Sequence, residues 1–397
     1  MSEEMNLGEF QFPTFVLNDV LGKILVVGDL HLYNKELSST KGMVENNMIM
    51  LENIYSFLEE NEDIKLLIFL GDIQHITPSG KNTLKEVTKW KKAFKKIGEL
   101  MKPRFERDLV KVIFNTRADE HPFEDFYSAL DDGDAYPVFT LKGNHDIDTE
   151  RMLFSKSTEE AEEEPYTFFD ICIDEGLLVN PNQIILDGKV LLNFYNYAEY
   201  SIPYPSYKGV EYTIALMHET ILTVDSPNWV VETKAGLDPK EFIFADLVID
   251  GHIHENYPPR LVENAKGTTS VVWIIGSMGR TQISGDANNI MKGQVRDVGY
   301  SCLIDTQDFS ALPLVEIDVM PHDKYFNMRT RTNVLAEREE VRNFNFNLKK
   351  SNSDTNFIIT HDKTPIEVIQ EVEDVEQNVK DICISILTSI ENKQVKE

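Results

Sequence analysis

Cysteine is nearly absent: Cys172, Cys302 and Cys383 are the only three in a chain of 397 residues. Few, odd in number and widely spaced, they exclude a disulfide framework or a thiolate zinc cluster and read as small buried hydrophobes in a reducing compartment. Long apolar runs are missing too. No stretch approaches the roughly 18 apolar residues of a membrane span, and Met1–Asp19 has neither a basic leader nor an apolar signal segment, which predicts a cytoplasmic protein with no membrane contact. Basic charge is the third scarcity, with 39 Lys and Arg against 67 Asp and Glu and a formal net charge of -28. A protein that holds nucleic acid by a general electrostatic field is basic. That mode is excluded, which leaves a substrate other than nucleic acid, or contact through a local basic patch, bound metal ions and a partner protein.

What is present is a soluble globular composition, 42% hydrophobic with a mean hydropathy of -0.29. The length suits one large domain with a smaller one, or two domains. No internal repeat is visible. The informative stretch is Leu247-Val-Ile-Asp-Gly-His-Ile-His254. Its apolar start predicts a buried strand, Gly251 a sharp turn out of the sheet, and His252 and His254 a pair of imidazoles at the sheet's lip. Imidazole is the commonest metal-ligating side chain, and two so close suit one ion or a neighbouring pair.

The same grammar recurs along the chain. Ile24–Val27 reads as a strand ending in Asp29-Leu30-His31, and Leu66–Leu70 as a strand ending in Gly71-Asp72. Val138–Leu141 delivers Lys142-Gly-Asn-His-Asp146, and Tyr212–Met217 presents His218-Glu219. Between them the spacing predicts helices over Asn47–Leu58, Lys81–Met101, Phe123–Leu130 and Tyr166–Asp174. Further strands are predicted over Val110–Phe114, Ser270–Ile275, Tyr300–Asp305 and Leu314–Val319. Gln183–Leu186 and Val190–Tyr195, joined by Asp187-Gly188, form a hairpin signal. Ser157–Glu164 reads as an acidic surface loop. The Lys81–Met101 helix is strongly basic, and is either a solvated outer helix with an apolar stripe or a phosphate-contacting face.

Five strand-end turns thus offer Asp29, His31, Asp72, Asn144, His218, His252 and His254. Carboxylate, amide and imidazole together suit Mn, Fe or Zn better than Ca or Mg. Seven donors exceed one tetrahedral site, so two ions with a shared carboxylate are the economical reading. Such a pair polarises a phosphoryl group, activates water and stabilises the departing oxygen, which is phosphoester hydrolysis.

The ordered series Asp29-Leu-His31, Gly71-Asp72, Gly143-Asn-His-Asp146, His218 and Gly251-His-Ile-His254 resembles the calcineurin-like metallophosphoesterases, over roughly Lys23 to Pro321. The resemblance implies an α/β fold, a four-layer α/β/β/α sandwich over residues 1–320 with the site along one edge of the two sheets. It implies a small C-terminal cap and partner-docking region over residues 321–397. Asp29, His31, Asp72 and His254 would hold one divalent metal ion, and Asp72, Asn144, His218 and His252 the other. Mn2+ comes first, with Fe2+ or Zn2+ as alternatives. His145 would assist the leaving oxygen while a metal-bridging hydroxide attacks in line, and Asp146 would orient His145.

Within that superfamily, Gly71-Asp-Ile-Gln-His-Ile-Thr-Pro-Ser79 and Gly251-His-Ile-His-Glu255 are most similar to the Mre11/SbcD nucleases. His75 falls where those enzymes place a substrate-positioning histidine, and Gly276-Ser-Met-Gly-Arg-Thr281 sets Arg280 beside it as a second substrate contact. The implied function is a DNA exonuclease/endonuclease of repair or recombination, working with an SbcC/Rad50-type ATPase subunit and usually as a homodimer. The chain departs from that branch at Gln74, in an enlarged Lys81–Tyr136 segment and in its acidity. Two other readings stand beside it: a phosphatase or phosphodiesterase for small-molecule or protein substrates, and an inactive protein-binding scaffold.

After Pro321 basic and aromatic residues interleave, from Lys324 to Lys350, as a nucleic-acid patch or an ordinary amphipathic cap. Thr364-Pro365 opens a predicted last helix, with Ile366, Ile369, Val372 and Ile382 on its apolar face. That helix either docks the ATPase partner or packs on its own domain. His121, His322 and His361 read as surface histidines, and Glu219 and Glu255 as exposed carboxylates or orienters of neighbouring donors.

Overall fold

Ile24-Leu-Val-Val27 and Leu66-Leu-Ile-Phe69 are apolar at successive positions, a pattern that suits a strand covered on both faces. The computed structural model describes residues 17–18, 21–33, 42–75, 84–114, 126–147, 167–198, 207–222, 236–279, 297–309 and 312–321. In chain order its first elements are β1 (Lys23–Val27), α1 (Met43–Glu60), β2 (Ile64–Phe69), α2 (Leu84–Met101), β3 (Val110–Ile113), α3 (Phe126–Asp132), β4 (Val138–Thr140) and α4 (Phe168–Asp174). There follow β5 (Gln183–Leu186), β6 (Val190–Tyr195), β7 (Tyr212–Met217), α5 (Pro239–Phe242) and β8 (Leu247–Asp250). The last described strands are β9 (Tyr257–Glu263), β10 (Thr269–Ile274), β11 (Val298–Asp305) and β12 (Leu314–Asp318). The chain divides into two units, Met1–Thr332 and Asn333–Glu397. All of the second, including the predicted last helix, lies outside the described residues, as do the Lys324–Lys350 patch and the Ser157–Glu164 loop.

The strands form a five-stranded sheet, β12-β11-β1-β2-β4, and a seven-stranded sheet, β3-β5-β6-β7-β8-β10-β9. The neighbours β1, β2 and β4 are parallel, as are β6, β7, β8 and β10. Antiparallel strands lie to the outside of each parallel set. Alternation along β1 and β2 sorts their side chains between two layers. Ile24, Val26, Leu66 and Ile68 face inward and meet Leu192, Ile214, Leu216, Ile249 and Trp273 of the other sheet. Leu25, Val27, Leu67 and Phe69 face outward under α1 and α2. The outer face of the seven-stranded sheet, with Ala215, Met217, Val248 and Val272, packs against Leu237, Ile243 and Phe242 of α5. The result is a mixed α/β architecture of two packed sheets with helices, as the motif order implies. Cys172 and Cys302 are free and buried. No helix among the described residues is long and apolar enough to cross a membrane.

One feature differs from the sequence reading. Strand β9 carries no strand signal in the sequence, because Pro258 and Pro259 interrupt its pattern. It lies at the sheet margin, where a missing backbone donor is tolerated. The described parts of the Lys81–Tyr136 segment are built into the fold. Its helix α2 covers the five-stranded sheet with Trp90, Phe94 and Ile97 fully buried, and β3 extends the other sheet. The hairpin turn forms as its sequence indicates, with Asp187 and Gly188 at φ 48° and 68°.

Trp90 meets Phe168 edge-to-face at 5.1 Å beneath α2. Trp90→Ala is expected to lower unfolding free energy by about 3–5 kcal/mol in urea titration. A loss below about 1 kcal/mol would mark α2 as a dispensable appendage.

Candidate metal centre

Each of the five turns leaves the C-terminal end of a parallel strand. Asp29 and His31 follow β1, Asp72 follows β2, and Asn144 to Asp146 form a 3-10 turn after β4. From the other sheet come His218 after β7 and His252 and His254 after β8. The first two turns are knitted together: the His31 amide donates to the Asp72 carbonyl (2.7 Å), Leu32 to Ile73 (3.0 Å) and His75 to Leu32 (3.1 Å). His31, Asp72 and His252 have φ of 48°, 44° and 64°. Left-handed backbone costs such residues on the order of 1–3 kcal/mol each, and its concentration here is typical of functional sites.

Gly251 corrects an expectation. It does not carry the turn, which falls to the positive φ of His252. Its role is close approach, since a Cβ there would lie 2.5 Å from Asp29 Oδ1 and 3.2 Å from His218 Nδ1. Gly143 is equally constrained, its virtual Cβ falling 2.2 Å from Asp72 Oδ1.

The seven donor residues converge in two overlapping groups. In the first, His31 Nε2 lies 3.0 Å from His254 Nε2, 3.8 Å from Asp29 Oδ2 and 3.5 Å from Asp72 Oδ2. In the second, His218 Nε2 lies 2.9 Å from Asn144 Oδ1 and 3.2 Å from Asp72 Oδ2, and His252 Nδ1 lies 3.0 Å from the same Asn144 oxygen. Asp72 belongs to both. Its Oδ1 accepts the His145 amide (2.7 Å), whereas its buried Oδ2 accepts no hydrogen bond. Asp29 Oδ1 is likewise buried without one.

His218 shows what this arrangement requires. Its Nδ1 lies 2.7 Å from the Leu70 carbonyl, an acceptor, so Nδ1 carries the proton. A neutral His218 then aims an Nε2 lone pair at the oxygens of Asn144 and Asp72. Lone pairs do not converge in a buried site without positive charge between them. A proton on His218 or a cation among these atoms resolves the conflict, and three sets of described side chains have metal-site spacing: Asp29/His31/His254, Asp29/Asp72/His218 and His31/His75/His145.

The family model for calcineurin-like phosphoesterase matches residues 22–256, more than half of the chain. The protein belongs to the calcineurin-like phosphoesterase family. No curated protein matches the chain. The family binds divalent metals, and the donors of this phosphoesterase site fit such ions.

Charge in the phosphoesterase site is set by burial. Asp29, Asp72, Asp146 and Asp250 are each at most 1% exposed. Burial, with Asp72 adding to it, pushes Asp29 up to about 8 and Asp146 up to about 8. Burial also works to raise Asp72, but His218 and His31 outweigh it and hold the carboxyl below its ordinary range. Burial works to lower His218, but Asp72 and Asp29 hold it well above the usual imidazole value. Burial lowers His75 and His252 to about 4 and His31 well below normal. Near neutral pH all three rings keep a lone pair, which in His31 and His252 suits ligation.

His145 and His75 are both at the site, their rings stacked at 4.3 Å between centroids. Arg280 lies outside the described residues, as do His121, His322 and His361. Asp146, expected to orient the His145 imidazole, does something else. Its two oxygens accept the amides of Gln74 (3.2 Å) and Gly143 (2.9 Å), clamping the β2 and β4 turns together. Glu219 is buried, not exposed, and accepts the Ala198 amide at 2.6 Å, whereas Glu255 is exposed. Tyr33 and Tyr197 were missed. Tyr33 stacks on His75 at 4.4 Å and Tyr197 lies 6.2 Å from His252. Tyr33 follows β1 and Tyr197 follows β6, but a tyrosine is not a donor type that marks a strand end as part of a metal site.

Asp29 with a value near 8 and His218 above its usual range both hold protons at pH 7 that a cation displaces. Divalent-ion affinity should therefore rise from pH 6 to pH 8, with protons released on binding. Calorimetry in two buffers of different ionisation enthalpy reads both effects. The Tm gain on adding Mn2+ should be larger at pH 8 than at pH 6, because the metal-free fold loses the stabilisation of protonated Asp29 and Asp146 as pH rises toward 8.

Proposed function

We propose that this phosphoesterase is a two-metal phosphodiesterase acting on DNA as an Mre11/SbcD-like nuclease. The observation that carries the two-metal part is Asp72 Oδ2, buried, accepting no hydrogen bond, and placed 3.5 Å from His31 Nε2 and 3.2 Å from His218 Nε2. That is where a carboxylate shared by two ions belongs. Asp29, His31, Asp72 and His254 would hold one ion and Asp72, Asn144, His218 and His252 the other, with Mn2+ the ion of choice for a mixed carboxylate, amide and imidazole set. When bound, the pair supplies Lewis-acid polarisation of the phosphoryl group and activation of the attacking water.

The chain's own residues then have distinct tasks. Asp29 Oδ2 accepts the His252 amide (3.0 Å), which ties the turn of one sheet to that of the other and fixes the spacing of the two groups. The Leu70 carbonyl fixes the His218 tautomer so that Nε2 faces inward. His145 is anchored by its own amide to Asp72. Burial lowers its pKa and keeps the ring neutral near pH 7, so it serves the departing oxygen as an N–H hydrogen-bond donor.

Support for DNA as the substrate comes from His75, which shares a ring stack with His145 and so lies beside the reacting group. The basic helix supplies less. Lys89 pairs with Glu86 (3.1 Å), Lys91 with Glu175 (2.5 Å), and Lys96 caps the Tyr55 ring at 3.5 Å. Those local pairings favour the solvated outer helix over a phosphate face. An ATPase subunit of the SbcC/Rad50 type would then supply the positive surface for DNA, docking on the C-terminal segment, and a second copy of the chain would complete the assembly. The acidity of the chain, -28 overall, favours the second reading, a phosphatase or phosphodiesterase for small-molecule or protein substrates. The protein-binding scaffold is disfavoured by the complete donor set.

The test is hydrolysis with Mn2+ of labelled single- and double-stranded DNA beside a chromogenic phosphodiester. Asp72→Ala should abolish metal binding and both activities. His145→Ala should keep the metal and lower kcat by about 10²–10⁴-fold. Cleavage of the small diester alone, with the ATPase partner present, would refute the DNA assignment and leave the two-metal site standing. Absence of both activities and of bound metal would favour the scaffold.

A further inference from the structure

His75 makes a contact that substrate binding does not require. Its Nδ1 lies 3.3 Å from Nδ1 of His31, whose other ring nitrogen, Nε2, faces His254, Asp29 and Asp72. A neutral imidazole has one N–H and one lone pair. With the His31 lone pair committed through Nε2 to the donor group, the proton sits on Nδ1 and points at His75. His75 must then accept, which places its own proton on Nε2.

The ring of His75 is held for that task from three sides. Its amide donates to the Leu32 carbonyl at 3.1 Å. One face stacks on Tyr33 (4.4 Å, 26° between planes) and the other on His145 (4.3 Å, 26°). Tyr33 is itself buried at 2% exposure, and its amide donates to the side-chain oxygen of Asn47 at 3.2 Å on helix α1. The column Tyr33–His75–His145 therefore runs from a helix of the outer layer to the ring that serves the leaving group, touching the metal-ligand residue His31 on the way.

We propose that His75, steadied by Tyr33, is a positioning residue for the ion held by His31, and that this contact links ion binding to the tautomer and placement of the rings that meet the substrate. The inference rests on the two-ion reading of the site. Outer partners that accept from a ligating imidazole orient it and raise its basicity, and their loss commonly weakens metal affinity by about 10–100-fold. Because His75 accepts at Nδ1, its Nε2–H is the atom left to face a phosphate oxygen. The ring thus has two separable roles on its two nitrogens.

Mn2+ binding, read as free ion by electron paramagnetic resonance on the full chain, separates them. The wild type should bind two ions. His75→Ala should weaken one of them by about 10–100-fold and leave the other unchanged. His75→Asn should restore it, since the amide oxygen takes the place of Nδ1 as acceptor, while KM for the diester stays raised because Nε2–H is gone. Tyr33→Phe should match the wild type, and Tyr33→Ala should weaken the same ion as His75→Ala. Unchanged affinities in His75→Ala, or an Asn variant that behaves like Ala, would overturn the inference. A wild type that binds fewer than two ions would overturn the two-metal reading instead. A Tyr33→Ala variant with wild-type affinities would remove Tyr33 from the account.

Discussion

Burial of negative charge is the constraint on which this fold turns. Four carboxylates, none more than 1% exposed, share one end of the molecule with the imidazoles of His31, His218, His252 and His254. Uncompensated anions in such a place cost several kcal/mol each, so positive charge must be supplied. In the polypeptide alone it comes from protons held by Asp29, Asp146 and His218. In a metal-loaded phosphoesterase it comes from the ions. The residues are thus arranged to suit a charge that bound ions would supply, and the apolar layers hold them in that arrangement.

The cost of that arrangement is visible in the backbone. Three residues of the site adopt left-handed conformations that a glycine or asparagine would accept more readily. None can be replaced by glycine without losing its side chain. The glycines are placed instead where bulk is the problem, at Gly143 and Gly251, each within a few ångströms of the Asp29 or Asp72 carboxylate. Strain is thus kept at residues whose side chains are needed, and space is made by their neighbours.

Much of this was legible from one sequence because the signals are local. A β-branched run that ends in Asp250-Gly251-His252 marks a buried strand and its donors together, and the same holds for Ile24–His31 and Leu66–Asp72. What escaped was what depends on the other sheet. The crowding of Gly251 comes from Asp29, far away in sequence, so nothing local distinguishes this glycine from one that carries a turn. Asp146 looked like a partner for the adjacent His145, yet the nearest buried donors in space are the amides of Gln74 and Gly143. The role of Tyr33 exists only because the β1 and β2 turns pair with each other. Strand β9 was hidden by two prolines that only a sheet margin tolerates.

The way the donors divide between the sheets has one more consequence. Asp29, His31, Asp72 and Asn144 belong to the turns of one sheet, and His218, His252 and His254 to those of the other. Ions seated among them would cross-link two layers that otherwise meet through apolar side chains and a few hydrogen bonds, such as the His252 amide to Asp29 and His218 to the Leu70 carbonyl. The covalent distance spanned is long, 223 residues between Asp29 and His252, and closing so large a loop removes much of the freedom of an unfolded chain. In a protein with almost no cysteine, the metal centre would do for the two sheets what a disulfide does in a secreted domain, and it would do so reversibly.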